Sequence, residues 1–282
     1  MIIARSIDEL RQALSASQRP AFVPTMGNLH AGHIKLVEQA KPQGDCTVVS
    51  IFVNRLQFLP NEDFDSYPRT WEADCAKLEA AGCDVVFAPR ENDLYPEAQT
   101  VKVHADPALG DILEGEFRPG FFTGVSTVVL KLFMNVFAGK VQGVAAFGKK
   151  DYQQLMVIRQ MVRQFSLSIN VLGVDTCRAE DGLALSSRNG YLSASQRTEA
   201  LQLSLALRAL GRDAIASADA LANHLPALEA KAMTALRQRG WQPDYLTVRR
   251  RHDLQAPQAG DALVVLGAAK LGTTRLIDNF EI

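Results

Sequence analysis

The sequence has few cysteines and no CxxC pair of the kind that binds zinc or carries redox chemistry. The four cysteines are Cys46, Cys75, Cys83 and Cys177. Such wide spacing predicts reduced thiols rather than a disulfide framework. His30 and His33 lie close together, but the three other histidines have no second histidine or cysteine nearby. These are His104, His224 and His252. A zinc site is therefore disfavoured.

The chain also lacks an excess of either charge. Thirty lysines and arginines balance 31 aspartates and glutamates, for a formal net charge of -1, and no basic block interrupts the sequence. Because a nucleic-acid partner normally requires a positive surface, that class of function is disfavoured. A small anionic ligand requires only a few local cations and stays compatible with this composition.

No apolar run reaches the length of a membrane span, and residues 1–6 do not have the pattern of a signal peptide. We therefore expect a cytoplasmic protein that does not interact with a membrane. With 282 residues, of which 47% are hydrophobic, the chain has ample material for a core. Its length allows one large domain or two smaller ones.

Short apolar runs alternate with helical patterns from Ile2 to about Val174. The predicted strands are 2–4, 21–23, 47–53, 84–88, 142–147 and 168–174. The predicted helices are 7–16, which begins with a capping box at 6–9, then 33–40, 71–81, 126–137 and 152–165. This alternation predicts a parallel sheet covered by helices, the α/β class.

The pattern changes after Val174. A long loop at 178–191 leads to a capping box at 193–196 and an Ala/Leu-rich helix that ends near 215. A second helix is expected at 220–239, interrupted near Pro226, and strands follow at 244–249, 262–266 and 274–280. Helices followed by adjacent strands predict a small α+β domain with an antiparallel sheet. We place the domains at 1–178 and 179–282.

The stretch 22–33 reads as a strand, a tight turn and the start of a helix. A helix N-terminus offers unpaired backbone N–H groups and a partial positive charge, which suits an anion such as phosphate. His30 and His33, three residues apart in the first turn, would face that anion, and Gly32 would let it approach the backbone. Two alternatives stay open from these residues alone: ordinary surface or core histidines, or a shared metal ion.

Other polar stretches follow predicted strands. Asn54 and Gln57 offer amide donors and acceptors beyond one strand, and Gly148 and Lys150 follow another, with Gln154 one helical turn further on. The loop 181–191 contributes two serine hydroxyls and a guanidinium from 186–188, groups that suit a polyphosphate. Ligands bind to parallel sheets beyond the C-terminal ends of the strands, where these residues lie. Taken together, they favour a site for a nucleoside triphosphate. The stretches 61–69 and 118–125 read either as site segments or as plain loops and turns.

Six motifs, in order, resemble those of the pantoate–β-alanine ligases, or pantothenate synthetases. They lie at 24–33, 52–58, 67–70, 147–155, 181–189 and 271–279. The HxGH element at 30–33 by itself belongs to a wider nucleotidyltransferase superfamily, whereas the set of six is specific. The resemblance spans essentially the whole chain.

This resemblance implies a Rossmann-like N-terminal domain, a smaller α+β C-terminal lid domain and a homodimer that uses ATP and Mg²⁺. The implied reaction is the ATP-dependent condensation of (R)-pantoate with β-alanine to pantothenate. It passes through pantoyl adenylate and releases pyrophosphate and AMP. Among the motifs alone, two other functions stay open: a nucleotidyltransferase that makes no amide, and an ATP-binding sensor without catalysis.

The resemblance also assigns residues to roles. The ATP site is formed by Met26, Gly27, Asn28, Leu29, His30, Ala31, Gly32, His33, Gly148, Lys149, Lys150, Asp151, Cys177, Leu185, Ser186, Ser187 and Arg188. Gln57, Gln154 and Asn54 bind pantoate, and Gln57 also binds β-alanine. The expected catalytic residues are His33, His30, Lys150 and Arg188. No protein side chain is assigned to the Mg²⁺ that accompanies ATP.

Four features depart from the family's pattern. Arg55 stands where a proline is common, Phe121 replaces a usual histidine, and Cys177 occupies a usually aliphatic position. The region 138–142 is about three residues longer than expected. Phe121 and this insertion bear on the 118–124 segment and on the expected dimer surface.

Overall fold

The computed structural model describes residues 1–60, 62–217 and 221–282. These residues form two compact units. Unit 1 contains Met1–Lys149 and Gln154–Asp175, and unit 2 contains Lys150–Gln153 and Thr176–Ile282. The chain therefore passes from one unit to the other at three places, whereas the sequence predicts a single boundary near 178.

Unit 1 is built on a six-stranded sheet in which every pairing is parallel. Its strands are β1 (Ile2–Ala4), β2 (Pro20–Thr25), β3 (Cys46–Ile51), β4 (Val85–Phe87), β5 (Gly143–Gly148) and β6 (Ile169–Val174). The order β1-β4-β3-β2-β5-β6 confirms the predicted α/β class. The direction of winding changes between β2 and β5, and such a switch point is where parallel sheets bind ligands.

Helices cover this sheet. They are α1 (Ile7–Ala13), α2 (Ala31–Ala40), α3 (Trp71–Ala80), α4 (Glu91–Leu94), α5 (Pro107–Gly110), α6 (Glu114–Phe117), α7 (Phe121–Val136) and α8 (Tyr152–Gln164). The short helices α4, α5 and α6 were not predicted. Helix α7 begins five residues before the predicted start at 126, because Gly120 adopts φ +82° as its N-cap and Phe121 and Phe122 are buried.

The alternation of side chains along β2 builds a core on each face of the sheet. Val23 packs with Leu36 and Val37 of α2. Its neighbour Phe22 faces the opposite side and meets the rings of Phe133 and Phe137 edge-on, with centroids 6.2 Å away in both pairs. Aromatic pairs of this geometry contribute ~0.5–1.5 kcal/mol each beyond the area they bury. The two cores fix the C-terminal end of β2.

The predicted capping box at 6–9 forms only in part. Ser6 Oγ accepts a hydrogen bond from the N–H of Glu9 at 3.2 Å, as a helix N-cap should. The Glu9 carboxylate instead accepts the N–H of Arg5 at 2.6 Å. The box at 193–196 is complete, since Ser193 and Gln196 each cap the backbone N–H of the other.

Among its described residues, unit 2 combines helices with a three-stranded antiparallel sheet, which confirms the predicted α+β domain with its antiparallel sheet. The helices are α9 (Ala194–Glu199), α10 (Leu201–Ala216) and α11 (Leu221–Gln238), and the strands are β7 (Gln242–Arg250), β8 (Leu263–Leu271) and β9 (Thr274–Glu281).

The predicted interruption at Pro226 is wrong, because α11 continues through it. Proline has no N–H, so the helix gives up one internal hydrogen bond there. Leu225 and Leu228, on either side of the proline, pack against the core of unit 2, and packing of this kind supplies most of the stability of a helix in a folded protein. The predicted start of this helix at 220 lies outside the described residues.

All four cysteines are free thiols. Burial raises the pKa of the Cys46 thiol to about 11, with the nearby carboxylates of Asp84 and Asp45 acting in the same direction. In the part of the chain that the structure describes, no helix combines the length and the apolar character needed to cross a bilayer.

Candidate active site

The turn between β2 and α2 has the conformation expected from its glycine. Gly27 adopts φ +82° and Asn28 φ +50°, both in the left-handed region. A Cβ at Gly27 would also lie 3.2 Å from the carboxylate of Asp74. The strand, tight turn and helix start predicted for 22–33 are therefore confirmed, and α2 begins one turn after Gly27.

His30 and His33 cap the N-terminus of α2 reciprocally. His30 Nδ1 accepts the N–H of Gly32 at 3.1 Å, and His33 Nδ1 accepts the N–H of His30 at 3.3 Å. Their ring centroids are 4.1 Å apart. Because each Nδ1 accepts a hydrogen bond, a neutral ring carries its proton on Nε2. The two histidines thus present Nε2–H donors at a helix N-terminus, the end that attracts an anion.

This arrangement disfavours the metal interpretation of the histidine pair. A metal ligand must be an unprotonated nitrogen, and here the unprotonated Nδ1 atoms already accept backbone N–H groups. Within residues 1–60, 62–217 and 221–282, no three histidine, cysteine, aspartate or glutamate side chains form a group that could hold a metal ion.

A buried aspartate, which the sequence did not reveal, holds the same turn from α3. Asp74 is 1% exposed, and its two oxygens accept the N–H groups of Asn28 and Leu29, both at 2.8 Å. One helical turn on, Lys77 Nζ donates to the carbonyl of Leu29 at 2.6 Å. From the strand side, Thr25 Oγ1 accepts the N–H of Gly27 at 3.2 Å. The backbone before His30 is therefore fixed on two sides.

Asn54 and Gln57 lie beside this turn, just beyond β3. Asn54 Nδ2 donates to Gln57 Oε1 at 3.0 Å and to the carbonyl of Gly124 at 3.2 Å, and Asn54 Oδ1 accepts from the Tyr95 hydroxyl at 2.9 Å. Gln57 Nε2 in turn lies 3.3 Å from the sulfur of Met26. The 1%-exposed Asn54 thus orients the amide of Gln57 toward the β2–α2 turn.

A glycine on α7 permits this geometry. A Cβ at Gly124 would collide with the carbonyl oxygen of Leu56, so only glycine lets the helix approach the turn that carries Gln57. The stretch 118–125 contains two glycines, of which Gly120 is the N-cap of α7 and Gly124 is the close-approach site.

Arg118 contacts the segment that carries Gln57. Its guanidinium forms a bidentate pair with Glu62, at 2.6 and 2.7 Å, and Nη2 donates to the carbonyl of Gln57 at 3.3 Å. The guanidinium carbon lies 3.7 Å from the centroid of the Phe121 ring. Phe121, one of the departures from the family's pattern, thus supplies an aromatic face for a cation–π contact with the 9%-exposed Arg118.

The C-terminal end of β5 lies at the same edge of the sheet, because β5 pairs in parallel with β2. The strand ends at the half-buried Gly148, and Lys149 Nζ forms an ion pair with Asp175 at 2.8 Å. The hydrogen bond from Lys149 lowers the pKa of the Asp175 carboxyl. Gln154, half-buried, lies in the first turn of α8.

The other residues of the expected ATP site belong to unit 2. These are Lys150, Asp151, Cys177, Leu185, Ser186, Ser187 and Arg188. The carbonyl of Cys177 accepts the N–H of Leu185 at 2.9 Å, which closes the loop between them. Ser186 Oγ accepts the N–H of Arg188 at 3.3 Å and caps a 3₁₀ helix at Ser187–Tyr191. The expected site residues therefore divide between the two units.

Comparison with known proteins extends these observations. The sequence model described as pantoate-beta-alanine ligase matches residues 2–281. The chain belongs to the pantoate–β-alanine ligase family. The resemblance inferred from the six motifs is confirmed. Pantothenate synthetases of Verminephrobacter eiseniae (strain EF01-2) and Paracidovorax citrulli (strain AAC00-1) are 67% and 66% identical to it, over the full length of both chains in each case.

Solved structures of the family share the fold. The pantothenate synthetase of Thermus thermophilus superposes with a TM-score of 0.90 at 42% identity, covering 100% of this chain and 99% of the other. The pantoate-β-alanine ligase of Francisella tularensis, in complex with β,γ-ATP and β-alanine, gives a TM-score of 0.81 at 34% identity, covering 100% and 97%.

Two further departures from the family's pattern have local explanations. Arg55 is exposed, lies 3.7 Å from Glu91 and stacks on the ring of Phe64, with its guanidinium carbon 3.9 Å from the centroid. In the region 138–142, which was expected to be longer than in the family, Lys140 Nζ donates to the carbonyl of Ser17 at 2.9 Å and anchors this region beside the end of α1.

Proposed function

We propose that this chain is an AMP-forming ligase that condenses (R)-pantoate with β-alanine, with MgATP as co-substrate. The observation that carries the proposal is the pair of Nε2–H donors of His30 and His33 at the N-terminus of α2, next to the switch point of the sheet. Membership of the pantoate–β-alanine ligase family supplies the substrates.

The first step activates the carboxylate of pantoate. A free carboxylate resists attack by an amine because it is negatively charged and its oxygen is a poor leaving group. In the proposed step a pantoate oxygen forms a bond to the α-phosphorus of ATP, and the bond to pyrophosphate breaks. Negative charge grows on the phosphate oxygens, where fixed donors stabilise the transition state. His30 and His33 supply Nε2–H groups that donate hydrogen bonds to these oxygens.

Unit 2 is proposed to contribute the remaining donors. Lys150 and Arg188 offer positive charge, and Ser186 and Ser187 offer hydroxyl groups, to the phosphates. Gly148, Lys149 and Asp151, with the main chain at Cys177 and Leu185, complete the proposed nucleotide site. We propose residues 179–282 as a lid that excludes water, since water would hydrolyse the adenylate.

The second step forms the amide. The amine of β-alanine attacks the acyl carbon of pantoyl adenylate, the bond to AMP breaks, and the amine loses a proton. We propose that Gln57 binds both pantoate and β-alanine and that Gln154 binds pantoate. The Francisella tularensis complex with β,γ-ATP and β-alanine supports this choice of ligands. Asn54 acts by holding Gln57, since both its amide nitrogen and its oxygen are engaged within the protein.

Mg²⁺ enters the proposal as part of the MgATP substrate. In this proposal the ion is held mainly by phosphate oxygens and water. A cytoplasmic homodimer is proposed from the family alone.

Two measurements test the proposal. ATP–pyrophosphate exchange should depend on pantoate, and AMP should appear when β-alanine is added. A nucleotidyltransferase that makes no amide would release pyrophosphate but never AMP, and an ATP sensor would do neither. Exchange that proceeds equally without pantoate would overturn the proposed substrate.

A further inference from the structure

The last family motif, 271–279, has no role in the proposed mechanism, yet its final residue contacts the lysine segment. Asn279 Nδ2 donates to the backbone carbonyl of Lys150 at 2.7 Å. Two residues further along β9, Glu281 Oε1 accepts the hydroxyl of Tyr152 at 3.0 Å. All four residues belong to unit 2. Alternate residues of one strand therefore hold alternate residues of Lys150–Gln153.

Asn279 is itself held firmly by its neighbours. Asp278 Oδ1 accepts the backbone N–H of Asn279 at 2.8 Å. Arg178 forms a bidentate pair with Asp278, both contacts at 2.8 Å, and also donates to the carbonyl of Asn279 at 3.2 Å. Asp278 and Asn279 are 5% and 6% exposed. Buried charges of this kind persist only when fully paired, so the Arg178–Asp278 pair gives Asn279 a fixed main chain.

Glu281 fixes the other contact. Arg251 Nη2 lies 2.8 Å from Glu281 Oε1, the same oxygen that accepts the Tyr152 hydroxyl. Burial raises the pKa of Tyr152, so its hydroxyl stays protonated and able to donate at neutral pH. The carbonyl of Lys150 and the ring of Tyr152 are thereby anchored to one strand.

We infer that Asn279 is a positioning residue for Lys150, fixing the main chain from which the lysine ammonium reaches the ATP phosphates. The inference rests on the role proposed above for Lys150. A lysine side chain is a flexible four-carbon stem, so the position of its backbone sets where its charge can lie. Lys150 is in a 3₁₀ turn, Lys149–Asp151, rather than in the body of α8. A displacement of about 1 Å at a catalytic group costs roughly a hundredfold in rate.

The experiment is a double-mutant cycle on the full-length chain, read by pantoate-dependent ATP–pyrophosphate exchange. Asn279→Ala removes the donor to Lys150, and we expect the maximal rate to fall roughly ten- to hundredfold. The KM for pantoate should stay within about twofold, because the proposed pantoate residues lie in unit 1. In a Lys150→Ala background, Asn279→Ala should cause no further fall.

A merely structural role would behave differently. Losses that multiply in the Lys150→Ala background, or an Asn279→Ala rate within about twofold of the wild type, would overturn the inference. Asn279→Asp is the second variant, in case the alanine variant does not fold. It keeps the shape but places an acceptor against the Lys150 carbonyl, so it should lose as much activity as alanine.

Trp241→Phe is the matched control. Trp241 Nε1 donates to Glu199 at 3.0 Å within the same unit, so this variant loses a buried side-chain hydrogen bond distant in sequence from the motif. It should keep the wild-type exchange rate. A normal rate in Lys150→Ala would overturn the positioning role while leaving the ligase proposal standing, whereas absence of exchange in the wild type would overturn the ligase proposal itself.

Discussion

Asp74 accepts the backbone N–H of Leu29 at 2.8 Å, across 45 residues of sequence. The same carboxylate accepts the N–H of Asn28, so one buried side chain on α3 determines the path of the chain just before the two histidines. Since the rings of His30 and His33 are oriented through backbone caps, an error in that path would be transmitted to their Nε2 atoms.

Asp74→Asn tests this coupling. An asparagine can accept only one of the two N–H groups and turns a donor toward the other, which leaves a buried donor unpaired. We expect a loss of about 1–3 kcal/mol in the free energy of unfolding. Turnover should also fall, by roughly tenfold or more. Urea unfolding and steady-state kinetics measure the two effects. Asp93→Asn, which alters a helix cap on α4, is the control and should leave turnover unchanged.

The roles of the two ring nitrogens of His33 can be tested separately. In His33→Asn the side-chain oxygen takes the place of Nδ1 and keeps the cap, but no group replaces Nε2. We expect kcat to fall roughly a hundredfold or more. The free energy of unfolding should remain nearly unchanged. His33→Gln places its amide near the position of Nε2 but no longer caps the helix. This variant should therefore keep most of kcat and lose ~1 kcal/mol in the free energy of unfolding. Near-normal turnover in His33→Asn would remove His33 from the mechanism.

Gln57→Ala should weaken the binding of pantoate. Loss of one hydrogen bond to a charged substrate corresponds to a rise in the KM for pantoate of about tenfold or more. Initial rates at varied pantoate and saturating ATP measure it. Gln39→Ala, at an exposed amide on α2, should leave this KM unchanged. An unchanged KM and rate in Gln57→Ala would contradict the assignment.

The Glu199–Arg239 pair predicts a pH dependence of stability in unit 2. A hydrogen bond from Arg239 lowers the pKa of Glu199 below its usual 4.5. A carboxyl whose pKa is lower in the folded state than in the unfolded state stabilises the protein at pH values above its unfolded-state pKa. This stabilisation is lost as the pH falls through the folded-state pKa. Glu199→Gln should therefore cost up to about 1 kcal/mol at neutral pH, because the pair is partly exposed. The difference in the free energy of unfolding between the wild type and Glu199→Gln should shrink when the pH is below the usual pKa of a glutamate. Urea unfolding at neutral and acidic pH measures it. An equal difference at both pH values would argue against the ion pair.

Local sequence patterns were sufficient to predict the strand, turn and helix start of the candidate site. The turn at Gly27 and the histidine caps involve residues close to one another along the chain, so glycine and helix-start chemistry were sufficient to predict a strand, turn and helix. Asp74 was not predictable in this way. Its partners are fixed only when α3 packs beside the β2–α2 turn, and nothing in the stretch around Asp74 indicates a backbone-binding carboxylate.

The same limit explains two differences in the fold. Helix α7 begins early because Phe121 and Phe122 are buried by tertiary packing that the local pattern does not contain. Helix α11 tolerates Pro226 because the leucines beside it pack against the core of unit 2, although proline in isolation predicts a break. In both cases the surrounding structure outweighs local preference.

Lys150–Gln153 has a consequence for recombinant fragments and chimeras. A gene cut after Asp175 would yield a C-terminal piece in which Asn279 and Glu281 have lost the Lys150 carbonyl and the Tyr152 hydroxyl. The tetrapeptide would remain in the other piece without its strand. When the C-terminal unit is exchanged between homologues, residues 150–153 and 278–281 should therefore be taken from the same parent sequence.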